Sequence, residues 1–472
     1  MRSQYSIAGK AHKTLISRKK TESRREINQK LLDEGRINLG DFKNLKRSST
    51  PQDTFDKYDL HKLFSFFKEL YAKKSLDTER IKDLEKWTDA QQLTVIRSDI
   101  LDKPITYEEL DAAAKTLNTG KSTSSDLISN EMLINCNHSL RMLLVKLFND
   151  CLSNGIRPWK ESIMTPLLKK GDPYDPDNYR SICVGSCLCK LFSRIFLSHL
   201  LTYRKENCPD VPNQLGFCAD AQTSDHLLTL STIIEKSEIH QKTEEKGIYA
   251  YFVDCAKAFD SVFREALIYK LSSLGVGGNF MLVIRDMYNK STTKVKLIKR
   301  LSEAITILIG TEQGHPISPE LFKVFIYELS LLLNAEKENA PELDGILINH
   351  LFWVDDLILL SLHPSSLRRL LDILGEYCTT WGLNVNVKKT QVMSSTTRED
   401  RLLKLNNKFL LGNQIIEQTR SYTYLVLTLS LSGSFNQAMD DRRKKSLGDF
   451  FSLKRLCGHA LSEPPCSLQA LR

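Results

Sequence analysis

The run Ile248-Tyr-Ala-Tyr-Phe-Val-Asp254 constrains this chain more than any other segment. Apolar and aromatic residues, rich in strand formers, stop abruptly at an acid, which describes a buried strand delivering Asp254 to its exposed end. Beyond it, Ala256-Lys-Ala-Phe-Asp-Ser-Val262 turns helical in character, so Asp254 stands at a strand-to-helix junction. An Asp there is also a good helix cap, and taken alone the residue supports both readings.

A second acid pair tips the balance toward chemistry. Ile346-Leu-Ile348 and Leu351-Phe-Trp-Val354 lead into Asp355-Asp356, and Leu357-Ile-Leu-Leu360 follows. Two adjacent carboxylates therefore interrupt an apolar hairpin. Asp is a common turn former, yet hairpin turns prefer Asn-Gly or Asp-Gly, and neighbouring like charges between apolar strands are costly unless a cation or partner neutralises them. Metal binding is the natural solution. Side chains alternate faces along a strand, so only one of the pair can share a face with Asp254. Asp355 is the expected direct ligand and Asp356 the weaker one.

Carboxylates without His or Cys favour Mg²⁺. Two such ions about 4 Å apart activate a hydroxyl nucleophile and stabilise a leaving pyrophosphate, so the chemistry indicated is nucleotidyl transfer. Between the acids lies Gly310-Thr-Glu-Gln-Gly-His-Pro-Ile-Ser-Pro319. Here Ser318 is expected to cap and Pro319 to start a helix from Glu320 to Leu333, with a core stripe of Leu321, Phe322, Phe325, Ile326 and Leu329. Gln313 and Gly314 precede that helix, where a side-chain amide and an exposed backbone can meet a nucleotide.

Composition bounds the rest. With 472 residues, 41% of them hydrophobic, the chain has apolar material for two or three lobes, which excludes wholesale disorder. No apolar run approaches the roughly 18 residues of a membrane span, and the N-terminus lacks a signal-peptide core, so an intracellular, membrane-free protein is expected. The 11 cysteines include no Cys-x-x-Cys pair, which argues against a disulfide framework or a zinc site. Charge is uneven: residues 1–50 carry 13 Lys plus Arg against 5 Asp plus Glu. Such an arm suits a polyanionic partner, or else is a solvated basic helix. A charged helix is expected at 14–34, an amphipathic one near 55–72, and a capping box at Thr106-Tyr-Glu-Glu109 starts another that runs to about Leu117. A further apolar-periodic helix covers 139–154 and ends at Gly155. Short apolar runs alternating with helical patterns between 160 and 430 read as a mixed α/β body.

Taken in order, these segments resemble the polymerase motifs of reverse transcriptases of non-LTR retrotransposons. Phe252-Val-Asp-Cys-Ala-Lys-Ala-Phe-Asp-Ser-Val262 resembles the first acidic motif, residues 310–322 the Gln-Gly motif, and Trp353-Val-Asp-Asp356 stands where the family has Tyr-Ala-Asp-Asp. Lys169-Lys-Gly-Asp172 with Asn178-Tyr-Arg-Ser-Ile182, Gly216-Phe217 with Thr223-Ser-Asp225, and Trp381-Gly-Leu-Asn-Val-Asn-Val-Lys-Lys-Thr390 agree in order. Tyr422-Thr-Tyr-Leu425 with Leu429-Ser430 resembles the primer-grip hairpin, and Ile105 to Leu133 the N-terminal extension.

The resemblance implies a mixed α+β right-hand polymerase with fingers, palm and an incomplete thumb. Its expected divisions are a basic helical extension at 1–90, fingers and palm at 91–431, and the start of a thumb at 432–472. It implies an RNA-directed DNA polymerase that uses two Mg²⁺ ions, an RNA template, a DNA primer and deoxynucleoside triphosphates. Asp254, Asp355 and Asp356 would be the catalytic, metal-holding acids, and Lys389 the proton donor to pyrophosphate. Phe259 would be the steric gate under the sugar, Gln313 and Gly314 would meet the nucleotide, and Arg180 and Lys169 the triphosphate. The chain departs from the pattern at Ser125, Ser181, Trp353 and Val426, where the family has Gly, Pro, Tyr and Gly, and it has lost the basic residues after Phe217. A decayed copy that only binds nucleic acid is the competing reading, and a fragment of a longer polyprotein is expected.

Overall fold

The computed structural model describes residues 60–72, 97–169, 172–208, 213–218, 221–244, 248–298, 300–312, 314–394, 409–411, 414–425, 427–430 and 443. The basic arm with its 14–34 helix, most of the 1–90 extension, and the 432–472 segment apart from Arg443 lie outside the described residues. All described residues belong to the unit that begins at Leu60.

Local chemistry accounts for the helices. The Thr106 hydroxyl accepts from Glu109 N–H and the Glu109 carboxylate from Thr106 N–H, both at 3.2 Å, starting the helix Tyr107–Lys115. Gly155, at φ +63°, ends the helix His138–Asn154 in the left-handed conformation. The helix Leu60–Leu70 buries Leu63, Phe67 and Leu70. The helix Ser318–Ala335 buries the whole expected stripe from Leu321 to Leu329. Ser318 is not its cap, however. Ile317 precedes the helix in helical conformation without a side-chain cap, because the loop already enters at that angle, and the buried Ser318 hydroxyl turns toward Tyr288 instead of the helix N-terminus.

The strands are β1 (Glu161–Leu168), β2 (Tyr179–Gly185), β3 (Tyr249–Asp254), β4 (Thr292–Leu297) and β5 (Arg300–Thr306). They continue with β6 (Glu342–Leu343), β7 (Ile346–Leu347), β8 (His350–Trp353), β9 (Asp356–Ser361) and β10 (Gln391–Ser394). Last come β11 (Leu410–Leu411), β12 (Gln414–Ile415), β13 (Glu417–Gln418), β14 (Ser421–Tyr424) and β15 (Leu427–Ser430). One sheet has the order β2-β1-β4-β5, and a second, β13-β10-β3-β9-β8, carries β3 at its centre. β3 is antiparallel to both β10 and β9, and β9 is antiparallel to β8.

The unbroken apolar character of β3 follows from burial on both faces. Tyr249, Tyr251 and Val253 enter the large core with the helices Ser318–Ala335 and Pro364–Trp381. Ala250 and Phe252 enter a second core with Leu230, Tyr424 and Leu429. A sheet packed on one side by helices and on the other by a hairpin leaves its strand ends as the place where polar groups can gather. No helix among the described residues is long and apolar enough to cross a membrane.

Candidate active site

Asp254, the last residue of β3, lies directly across the ladder from Asp356, the first residue of β9. Directly opposed residues of an antiparallel pair point to one face, here the face of Phe252 and Ile358. Asp355 shares the intervening turn with Val354. The face expected for the acid pair is thereby corrected. β8 ends at Trp353, so the turn takes up Val354 and Asp355, and alternation puts Asp356 on Asp254's face. Asp355, off the ladder, is not governed by alternation.

Burial first, then repulsion from Asp355 and Asp254, pushes the Asp356 carboxyl up to about 7. Burial also raises Asp355; its own backbone N–H lowers it, Asp254 raises it again, and Lys169 and Arg180 lower it. Among the described residues no three His, Cys, Asp or Glu side chains converge closely enough to hold a metal ion. The donor chemistry nevertheless suits a hard divalent cation, since Asp254, Asp355 and Asp356 offer only carboxylate oxygens, and Asp254 and Asp355 both raise the Asp356 pKa.

The bases named from sequence come to the same place. Lys169 follows β1, its N–H donating to Asn178 O at 2.8 Å, and Arg180 in β2 is opposite Leu167. Burial lowers the Lys169 pKa, Arg180 and Lys389 lower it further, and Asp254 and Asp260 oppose them. Three cations and the acids thus share one electrostatic field. Lys389 is brought in by a segment laid along Asp254. Ala256 N–H donates to Asn384 O and Asn386 N–H to Asp254 O, each at 2.8 Å, and Asp254 N–H donates to Thr390 Oγ1 at 3.2 Å.

Phe259 is half-buried, its ring stacked on Phe322 at 4.8 Å. The Gln-Gly loop is pinned on either side of it. Gly310 N–H donates to Val262 O at 2.7 Å and Thr311 N–H to Phe259 O at 2.8 Å. Gly310 and Gly314 have φ of +86° and +99°, and a Cβ on either would sit 2.8 or 2.9 Å from the carbonyls of Asp260 and Cys183. Only glycine serves at these two positions. Gln313 itself lies outside the described residues, and Gly314 is exposed.

The expected grip hairpin is β14–β15, and it roofs the acid-bearing face. Tyr422 stacks on Phe252 at 4.3 Å. Burial, then Asp254 and Asp356, push its hydroxyl up to about 12. The Tyr424 hydroxyl and His226 Nδ1 are hydrogen-bonded at 2.9 Å, and His226 meets Trp353 edge-on at 6.0 Å. Leu425 turns the hairpin at φ +45°; Val426 lies outside the described residues.

Other polar residues of the site carry no signal in sequence spacing. Ser181 Oγ donates to Asp260 at 3.1 Å, which gives the unusual Ser a partner. Arg157, 1% exposed, donates to Cys189 Sγ at 2.9 Å and Met287 O at 3.0 Å beneath the Gln-Gly loop. His315 Nε2 lies 3.2 Å from both Cys189 Sγ and Ser193 Oγ, and burial holds the ring well below its ordinary pKa. Arg264 Nε donates to Gly310 O at 3.0 Å, fixing the loop's start.

Comparison with known proteins gives the family. The family described as reverse transcriptase (RNA-dependent DNA polymerase) matches residues 167–429. The RNA-directed DNA polymerase from mobile element jockey of Drosophila melanogaster is 24% identical over 347 residues, 71% of this chain and 36% of its own length. The Pol polyprotein from the type-1 retrotransposable element R2 of Popillia japonica is 27% identical over 287 residues, 59% of this chain and 38% of its own. The chain spans little more than a third of the length of these relatives. Among solved structures, apo telomerase from Candida tropicalis truncated from its C-terminal domain aligns at a TM-score of 0.39 and 13% identity, over 66% of this chain and 62% of that one. At that score it carries no argument about the fold, which rests on the family match and the sheet order. The match begins within the strand pair bearing Lys169 and Arg180, ends in the Tyr422 hairpin and covers more than half of the residues; the chain belongs to the reverse transcriptase family, with the mixed α+β fold of a right-hand polymerase.

Proposed function

We propose that this chain is an RNA-directed DNA polymerase that adds deoxynucleotides to a DNA primer on an RNA template. The observation that carries the reading is the register of Asp254 against Asp356, with Asp355 in the turn between β8 and β9 and its charge felt by Lys169 and Arg180. Two divalent ions held by Asp254, Asp355 and Asp356, Mg²⁺ by donor chemistry, would supply activation of the primer hydroxyl and charge neutralisation at the leaving pyrophosphate.

The chain's own residues do the rest. Lys169 and Arg180 hold the triphosphate by charge. Lys389 Nζ gives its proton to the pyrophosphate oxygen as the bond to the α-phosphorus breaks. Phe259, its ring fixed on Phe322, lies under the sugar, and Gln313 and Gly314 meet the nucleotide from the loop. The hairpin β14–β15 holds the primer end above the acids. The basic residues of 1–50 bind RNA phosphates, and the divisions 1–90, 91–431 and 432–472 are an extension, the fingers and palm, and the start of a thumb.

A primer-extension assay on an RNA template with Mg²⁺ tests the reading. Template-dependent extension is the expected result. A folded chain that binds template and primer but adds no nucleotide would favour the inert, nucleic-acid-binding remnant.

A further inference from the structure

Val354 has φ +62° at the first of the two residues joining β8 to β9. Positive φ there is the pattern of a hairpin turn that selects glycine, and for a β-branched residue it is strained. Asp355 and Asp356 follow immediately, so whatever holds Val354 also aims the acids.

One side chain holds both polar groups of Val354. Gln214 Oε1 accepts from Val354 N–H at 3.2 Å, and Gln214 Nε2 donates to Val354 O at 3.5 Å. The same Oε1 accepts from Gly216 N–H at 3.0 Å. Two N–H donors on one oxygen fix the orientation of the amide, because the reversed amide would set donor against donor. The segment bearing Gln214 is itself anchored as an added strand beside β8. Phe352 N–H donates to Asn213 O at 2.7 Å and Leu215 N–H to Phe352 O at 3.1 Å. Close approach requires glycine at 216, where a Cβ would lie 2.4 Å from Val354 Cγ2 and 2.5 Å from Val354 N.

We propose that Gln214 is a positioning residue of the polymerase reaction: it clamps Val354 in its left-handed conformation and so sets Asp355 and Asp356 relative to Asp254. The proposal rests on the polymerase reading for its effect on rate, while the clamp itself is a statement about the turn. Relaxing a strained residue moves the two carboxylates that follow it, and small displacements of reacting groups are expensive. A Gln that merely fills space gives no reason for glycine at 354 to be favoured more in its absence than in its presence.

The test is a cycle on the full chain with Gln214→Leu, Val354→Gly and the double variant, reading single-turnover extension rate and melting temperature. Gln214→Leu is expected to slow extension by about tenfold or more. Val354→Gly should then raise the rate about fivefold more in the Gln214→Leu background than in the parent, a coupling typical of groups in contact. An unchanged rate in Gln214→Leu, or equal effects of Val354→Gly in both backgrounds, overturns the proposal. If the parent extends no primer, the polymerase reading fails by itself. The melting temperatures still decide the clamp: Val354→Gly loses the same buried side chain in both backgrounds, so it must cost less stability where Gln214 is replaced than in the parent. Should Gln214→Leu fail to fold, recovery of the fold on adding Val354→Gly supports the clamp, and continued failure overturns it.

Discussion

The backbone N–H of Asp254 donates to the hydroxyl of Thr390 at 3.2 Å, and Thr390 is completely buried. The bond ties the first acid to the segment that carries Lys389. Thr390→Val keeps the shape and removes the acceptor, leaving a buried donor unpaired at a cost of about 1–2 kcal/mol. Urea unfolding should show that loss for Val and little loss for Thr390→Ser. Equal midpoints for Val and parent would remove Thr390 from this role.

Phe259 stacks on Phe322 while remaining only half-buried. Phe259→Ala is therefore expected to act twice. Loss of the ring costs roughly 1–3 kcal/mol, less than a fully buried Phe, and ribonucleotide incorporation should rise relative to deoxyribonucleotide. A lower melting temperature with an unchanged incorporation ratio would reduce Phe259 to packing.

His226 is buried between Tyr424 and Trp353, and burial pulls its pKa down to about 4 from an ordinary 6.5. The folded ring stays neutral where the unfolded one takes a proton. Stability is thus complete above pH 6.5 and falls as the pH drops toward 4, by up to roughly 3 kcal/mol for this group. His350, pulled down to about 3 by burial, acts in the same direction. Melting temperature should decline from pH 7 to pH 4.5, and His226→Gln should flatten the decline. A flat profile in the parent would contradict the buried, neutral ring.

Much of this arrangement was legible from residue order because it repeats along the chain. The run Ile248–Val253 is apolar without alternation because both faces of β3 are covered, and Asp254 marks where the cover ends. The stripe Leu321 to Leu329 reads as helix because one face of that helix is core. What escaped was set by single long-range contacts. A β-branched residue argues against positive φ at 354, and the cause of its conformation, Gln214, is 140 residues away. The turn sits one residue earlier than the acid pair suggests, at Val354 and Asp355, and Asp356 is on the ladder. Ser318 looked like a cap by type and position, yet the Gln-Gly loop arrives in helical conformation and does not need one. Arg157 meets His315, itself a residue of that loop, from 158 residues away, with no periodicity to announce the pairing.

The central claim is that carboxylates at the end of β3 and the start of β9 perform nucleotidyl transfer, and single-turnover primer extension on an RNA template with Mg²⁺ tests it most directly. The parent should extend the primer, and Asp254→Asn and Asp356→Asn should each slow extension by about 100-fold or more. Both variants should remain folded, and Asp356→Asn should melt no lower than the parent at pH 8, since it removes a buried charge that Asp355 and Asp254 repel. Extension by either variant near the parent rate would contradict the account.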